Sequence, residues 1–154
     1  MISTRSNRTL EQWTEEFVRR LQKQTQADRA ENIPAYNRLH KKIVEALTAI
    51  ENAGSPGREV LEELMEHEMP QVRLWAAGRV IQWNPDRAIP VLGRLLIEKL
   101  PEESAPVERM SIRGTASSHL EKFFGITNFD RNELIEPLKA YGIDVPRQTE
   151  RPWF

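Results

Sequence analysis

Hydrophobic positions recur at spacings of three and four along most of the chain. At about 100° per residue this produces one-sided stripes, as amphipathic helices require. Leu10, Trp13, Phe17 and Leu21 make the first stripe, on a helix capped by Thr9 and predicted to run to about Thr25. Tyr36, Leu39, Ile43, Leu47 and Ile50 make the second, from about Pro34 to Asn52, before Gly54-Ser55-Pro56-Gly57 breaks the chain. A third helix, from about Arg58 to His67, turns Val60, Leu61, Leu64 and Met65 inward and its glutamates outward. Pro70 opens a fourth that reaches Trp83, because a proline suits a first helical turn. Its Val72, Ala76, Ala77, Val80, Ile81 and Trp83 span so wide an arc that this helix is expected to be largely buried.

Asn84-Pro85-Asp86 stops the chain and restarts it as a fifth helix, with Ile89, Val91, Leu92, Leu95 and Leu96 inward and Pro90 near the first turn. A sixth, about Val107 to Phe124, carries Met110, Ile112, Ala116, Leu120, Phe123 and Phe124 and ends at Gly125. Asp130 with Glu133 reads as a capping box for a short last helix ending near Tyr141-Gly142, with Pro137 inside it. No segment alternates with period two over strand length. The expectation is an all-α domain of about seven helices over residues 1–142, followed by an extended tail, 143–154.

Helices three and four form one pair and helices five and six another. Pairs that cannot bury their apolar faces alone stack as an α-solenoid. Met69-Pro70-Gln71-Val72-Arg73-Leu74-Trp75-Ala76-Ala77-Gly78-Arg79-Val80 resembles the second helix of a HEAT or armadillo-type repeat. More widely, residues 36–125 resemble a family of small bacterial helical-repeat proteins of unknown function. The likeness rests on Tyr36-Asn37-Arg38-Leu39-His40, on Gln71 to Ala77, on Asn84-Pro85-Asp86-Arg87-Ala88, and on Ala116, Leu120 and Gly125. The resemblance implies the fold and no established activity. HEAT-like stacks generally bind proteins on the surface of their second helices, and some small ones look like immunity proteins against toxins.

Charge adds a further division. The chain has 154 residues and a net charge of -1. Residues 1–44 carry nine Lys/Arg against five Asp/Glu, whereas residues 45–70 carry seven Glu and only Arg58. That acidic stretch argues against a phosphate-backbone footprint there and suits a basic protein partner. There is no cysteine, which excludes disulfides and thiolate chemistry. No apolar run is long enough to span a bilayer, and the N-terminus has no apolar signal core, which places the protein in the cytoplasm.

Catalytic patterns are missing. His67-Glu68 begins a zinc-protease signature, but Gln71 stands where the second histidine is needed. Glu63 and His67 are four apart, yet two ligands do not make a metal site. Ser117-Ser118-His119 lies mid-helix without flanking glycines, and Gly54-Ser55-Pro56-Gly57 is not a phosphate loop. The chain therefore reads as non-catalytic, with no cofactor.

The residues singled out lie on the fourth helix and the acidic third. Trp75 sits in the one polar stripe of the fourth helix, with Gln71, Gly78, Arg79 and Gln82 around it. Either an earlier helix covers the stripe and Trp75 is core, or the stripe is open and Trp75 is an anchor of the kind whose truncation costs ~2 kcal/mol or more. Arg73 falls inside the apolar arc and is expected to reach a carboxylate, Asp86 or Glu66, or helix-end carbonyls. The leading expectation is a protein-binding domain of immunity type. In it Glu59, Glu62, Glu63, Glu66 and Glu68 meet a basic toxin surface while Trp75, Arg79, Gln82 and Gln71 supply the anchor. Two alternatives stand beside it. One is a nucleic-acid module using Arg5, Arg8, Arg19, Arg20 and Lys23; the other is a subunit that assembles with itself through Trp153-Phe154.

Overall fold

Thr9 opens the first helix with a reciprocal cap. Its hydroxyl accepts the Gln12 amide, and the Gln12 side chain accepts the Thr9 amide. In a computed structural model that describes residues 8–147, this helix, α1, spans Leu10–Arg29. It outruns the expected end near Thr25 because two polar residues prolong the buried stripe. Arg20 and Gln24 are buried with Trp13, Phe17, Leu21 and Ala27. Arg20 Nη1 donates to the Lys42 carbonyl at 2.6 Å and Gln24 Nε2 to the Tyr36 carbonyl at 3.4 Å, both on α2 (Ile33–Glu51). Polar groups with partners are tolerated in a core, so the helix continues. Asn32 caps α2 by accepting the Ala35 amide, and Ile43, Ala46, Leu47 and Ile50 form its buried face.

The break after α2 is shorter than the sequence suggests. It is confined to residues 52–54, with Gly54 at φ +76°; Ser55, Pro56 and Gly57 already form the first turn of α3 (Ser55–Leu64). Gly57 is needed there for another reason: a Cβ on it would collide with the Ile50 carbonyl oxygen. Because α3 ends at Leu64, Glu66 and Glu68 fall in the connection to α4 and not on the helix with Glu59, Glu62 and Glu63. The chain divides into two compact units, one ending at Glu63 and the other starting at Leu64.

In the second unit α4 spans Pro70–Val80, with Val72, Leu74, Ala76, Ala77 and Val80 buried. It stops before Gln82 and Trp83, which lie in a tight turn whose amides bond back to Arg79 and Val80. α5 (Pro85–Ile97) buries Ile89, Leu92, Leu95 and Leu96 completely. Pro90 lies in its second turn, past the expected first. α6 (Pro106–Phe124) buries Ile112, Ala116 and Leu120 together with Glu108, Arg113 and Ser117. Those polar residues take places that the apolar pattern assigned elsewhere, so Met110 and Phe123 are exposed and not inward. Gly125, at φ +71°, ends α6 as anticipated. The Asp130–Glu133 capping box does not form: Asp130 accepts the Asn132 amide, opening a 3-10 turn (Arg131–Leu134) before the short α7 (Ile135–Lys139). Residues 143–147 are not helical, yet Ile143 and Val145 are buried. The described residues are thus all-α, with seven α-helices and no strand. None of those helices is long and apolar enough to cross a membrane.

α4, α5 and α6 pack on one another. The polar tie among them is at the C-terminal end of α5. Arg113 of α6 is 7% exposed and donates from Nη1 to the Leu95 carbonyl at 3.1 Å and from Nη2 to the Glu98 carbonyl at 3.0 Å. These are carbonyls that no helical amide can reach. Burial pushes the Arg113 pKa down, with Glu98 opposing the effect and Arg109 adding to it. Arg73 of α4 holds the Glu98 carboxylate at 2.9 Å.

Replacing Arg113 with Met keeps the volume but removes both donors. At about 1.5 kcal/mol or more for each charged hydrogen bond, the chain should lose about 3 kcal/mol in denaturant unfolding. Gly57→Ala should cost about 2 kcal/mol or more, although alanine is otherwise the better helix former, since backbone must move. A neutral Gly57→Ala would show that the close approach to Ile50 is not a feature of the fold.

Candidate functional site

Three residues flagged in the sequence, Glu66, Glu68 and Arg73, come together in an open groove of about 600 Å³. One wall is the α3–α4 connection, Met65 to Glu68; the other is the outer face of α5, with Asp86, Arg87, Val91 and Arg94. The His67 ring fixes the first wall by accepting the Met69 amide on Nδ1 at 3.0 Å. That bond satisfies the amide of Met69 itself, the residue before α4, whose own side chain makes no cap hydrogen bond. His67 is thereby a structural residue, with its other ring nitrogen carrying the proton when neutral.

Arg73 meets neither of its expected partners. α4 and α5 are joined by a tight turn and lie antiparallel, so the start of α4 faces the end of α5, where Glu98 stands. Asp86, at the other end of α5, is exposed, and Glu66 lies 4.0 Å from Arg87. The groove therefore mixes two ion pairs, Arg73–Glu98 and Glu66–Arg87, with the exposed groups Glu68, Asp86 and Arg94 and an apolar floor of Met65, Pro90 and Val91. Arg87 and Arg94 were missed in the sequence, and Val91, expected inward, is half-buried and lines the groove. The signal was the i, i+7 spacing of the two arginines along one face of α5.

The α4 stripe is only partly open. Gln71, Trp75, Gly78 and Arg79 are half-buried, and Gln82 is exposed beyond the helix end. α6 lays His119 across it: a Cβ on Gly78 would stand 2.8 Å from His119 Nε2. The side-chain-free position beside Trp75 thus seats an imidazole. Burial lowers the His119 pKa, and the positive charges of Lys122 and Arg79 lower it further. On α3, Glu59 and Glu63 are exposed and Glu62 is half-buried.

Three of the basic candidates, Arg8 just before α1 and Arg19 and Arg20 on it, are committed within their own unit. The Arg8 and Arg20 guanidiniums lie 4.8 and 5.8 Å from the centre of the Trp13 ring. Arg20 Nε also pairs with Glu16 Oε2 at 3.0 Å, and Arg19 bonds the other Glu16 oxygen. The Arg19 bond holds the Glu16 carboxyl below its usual range, against burial, which raises it. Of the nucleic-acid candidates, Lys23 is exposed without such a role and Arg5 lies outside the described residues, as does Trp153-Phe154. No cluster of three or more potential metal ligands occurs among the described residues.

A family model described as a domain of unknown function (DUF2019) matches residues 14–101. No curated protein and no solved structure matches the chain.

The Gly78–His119 contact has a measurable coupling. In the wild type, Gly78→Ala sets the helix preference for alanine, about 1 kcal/mol, against crowding of the ring. In a His119→Ala background the same change should stabilise by about 1 kcal/mol. A double-mutant cycle by thermal unfolding should give a coupling of about 1 kcal/mol or more. Zero coupling would mean that the imidazole does not rest on Gly78.

Proposed function

The chain belongs to the DUF2019 family, and we propose that it is a non-catalytic, protein-binding helical-repeat domain. The finer reading is an immunity-type protein that masks a basic toxin domain. The α4–α5–α6 packing is compatible with a HEAT-like stack, whose helix edges bind polypeptides. The observation that carries the proposal is the groove between the α3–α4 connection and α5. Arg73 is held by Glu98 and Arg87 lies 4.0 Å from Glu66, while Glu66, Glu68 and Asp86 are all exposed, alongside Arg87 and Arg94.

Such a surface presents three exposed carboxylates around an apolar floor, a combination that suits a lysine- or arginine-bearing polypeptide. In the first unit, Glu59 and Glu63 of α3 are likewise exposed carboxylates. A phosphate backbone would be repelled by these carboxylates, and Arg19 and Arg20 of α1 are already paired with Glu16.

Immobilised chain, exposed to an extract of its own host and washed at rising salt, should retain a polypeptide of net positive charge. The double variant Glu68→Lys/Asp86→Lys, which changes only exposed side chains, should release it at lower salt with unchanged circular dichroism. Retention of nothing, or of material that a nuclease removes, would overturn the proposal.

A further inference from the structure

The groove beside α5 continues past the end of that helix. A further depression, of about 320 Å³, is lined by Lys99, Leu100, Pro101 and Glu102, and Glu68 and Arg73 line both. Along this trough most charges are matched: Arg73 with Glu98, Arg87 with Glu66, and Lys99 with Glu102 at 3.3 Å. Asp86, Arg94 and Glu68 are exposed and form no ion pair among the described residues. The fold sets their spacing. Asp86 lies in the first turn of α5 and Arg94 in the last, eight residues and so about 12 Å apart along the axis. Glu68 stands on the opposite wall, at the end where the two depressions meet.

We infer, resting on the reading of this groove as a polypeptide-binding face, that its occupant is an extended segment with an acidic residue set between basic ones, and not a uniformly basic run. An extended chain advances about 3.3 Å per residue and turns successive side chains to opposite sides. The distance from Asp86 to Arg94 is therefore covered in about four residues, an even number, so side chains i and i+4 both face α5. A lysine or arginine at i meets Asp86, and a carboxylate at i+4 meets the Arg94 guanidinium, whose planar fork suits it. The next residue, i+5, faces the other wall, where Glu68 takes a second cation; in the opposite chain direction the order is reversed. A helix about 10 Å across would fill roughly 900 Å³ over the same length, more than the about 600 Å³ of the groove. A purely basic segment would place like charge beside Arg94, so this residue selects among basic partners by repulsion as well as by attraction.

The test is fluorescence anisotropy of labelled alanine–serine peptides titrated with the full chain at low salt. All carry lysine at i and i+5; they differ in having glutamate, alanine or lysine at i+4, or glutamate moved to i+3. The peptide with glutamate at i+4 should bind tightest, about fivefold better than the one with lysine there, as one exposed ion pair allows. Moving the glutamate to i+3 should abolish the gain, because that side chain faces the wrong wall. Arg94→Gln, an exposed change, should remove the preference and Arg94→Glu should reverse it, both with unchanged circular dichroism. Tightest binding of the all-lysine peptide, an order that Arg94→Glu leaves unaltered, or no saturable binding of any peptide would overturn the inference. If the chain still retains a basic polypeptide from its host, and Glu68→Lys/Asp86→Lys releases it, the groove reading survives that failure; if it retains none, both fall.

Discussion

The end of α5 is the constraint on which the second unit depends. A helix must leave its last carbonyls without intrahelical donors, and here that end is buried against two neighbours. Left unsatisfied, each carbonyl would cost about 1–3 kcal/mol. Arg113 answers for Leu95 and Glu98 from α6, while Arg73 takes the Glu98 side chain from α4. Three helices are therefore located by one residue, Glu98, whose backbone and side chain are held from opposite partners. Apolar contact alone could let α4 slide along α5 by a turn at modest cost. Two guanidiniums with fixed fork geometry cannot follow such a slide.

The same device appears in the first unit with a different consequence. Arg20 is buried to serve the Lys42 carbonyl, and its guanidinium also lies over Trp13 and pairs with Glu16. Arg8, Arg19 and Arg20, three of the five cations read as a phosphate-binding set, are thus engaged in internal ties, whereas Lys23, Arg38, Lys41 and Lys42 of the same stretch are exposed. Packing divides a basic stretch into cations that serve the fold and cations that face solvent. Net charge constrains what a chain attracts only after the charges used by the fold have been set aside.

Helix number and most helix faces were legible because the apolar periodicity is strong wherever side chains are purely hydrophobic. What escaped was carried by polar residues in apolar positions. Arg20 and Gln24 extended α1, Arg113 and Ser117 displaced Met110 and Phe123 on α6, and Glu98 replaced Asp86 and Glu66 as the partner of Arg73. Each depends on a partner distant in sequence, which a periodic pattern does not contain. Gly57 and Gly78 were likewise visible as glycines but not as close approaches, since the Ile50 carbonyl and the His119 ring arrive from other helices. Of the candidate groove, the Met65–Glu68 wall was read from sequence; the α5 wall was not.

The two grooves of the second unit follow from this arrangement. Arg73 is drawn to Glu98 and Arg87 to Glu66, yet the first groove keeps Glu66, Glu68 and Asp86 exposed beside Arg87 and Arg94. On α6 the Ser117 hydroxyl holds Glu121, and the groove on its outer face, lined by Ser111, Gly114, Thr115, Ser118, His119 and Lys122, has no carboxylate in its lining. Neither distribution is visible in a net charge of -1. At physiological salt exposed charges beyond about 8 Å are largely screened from one another, so the character of each face is set by the charges within it and not by the total.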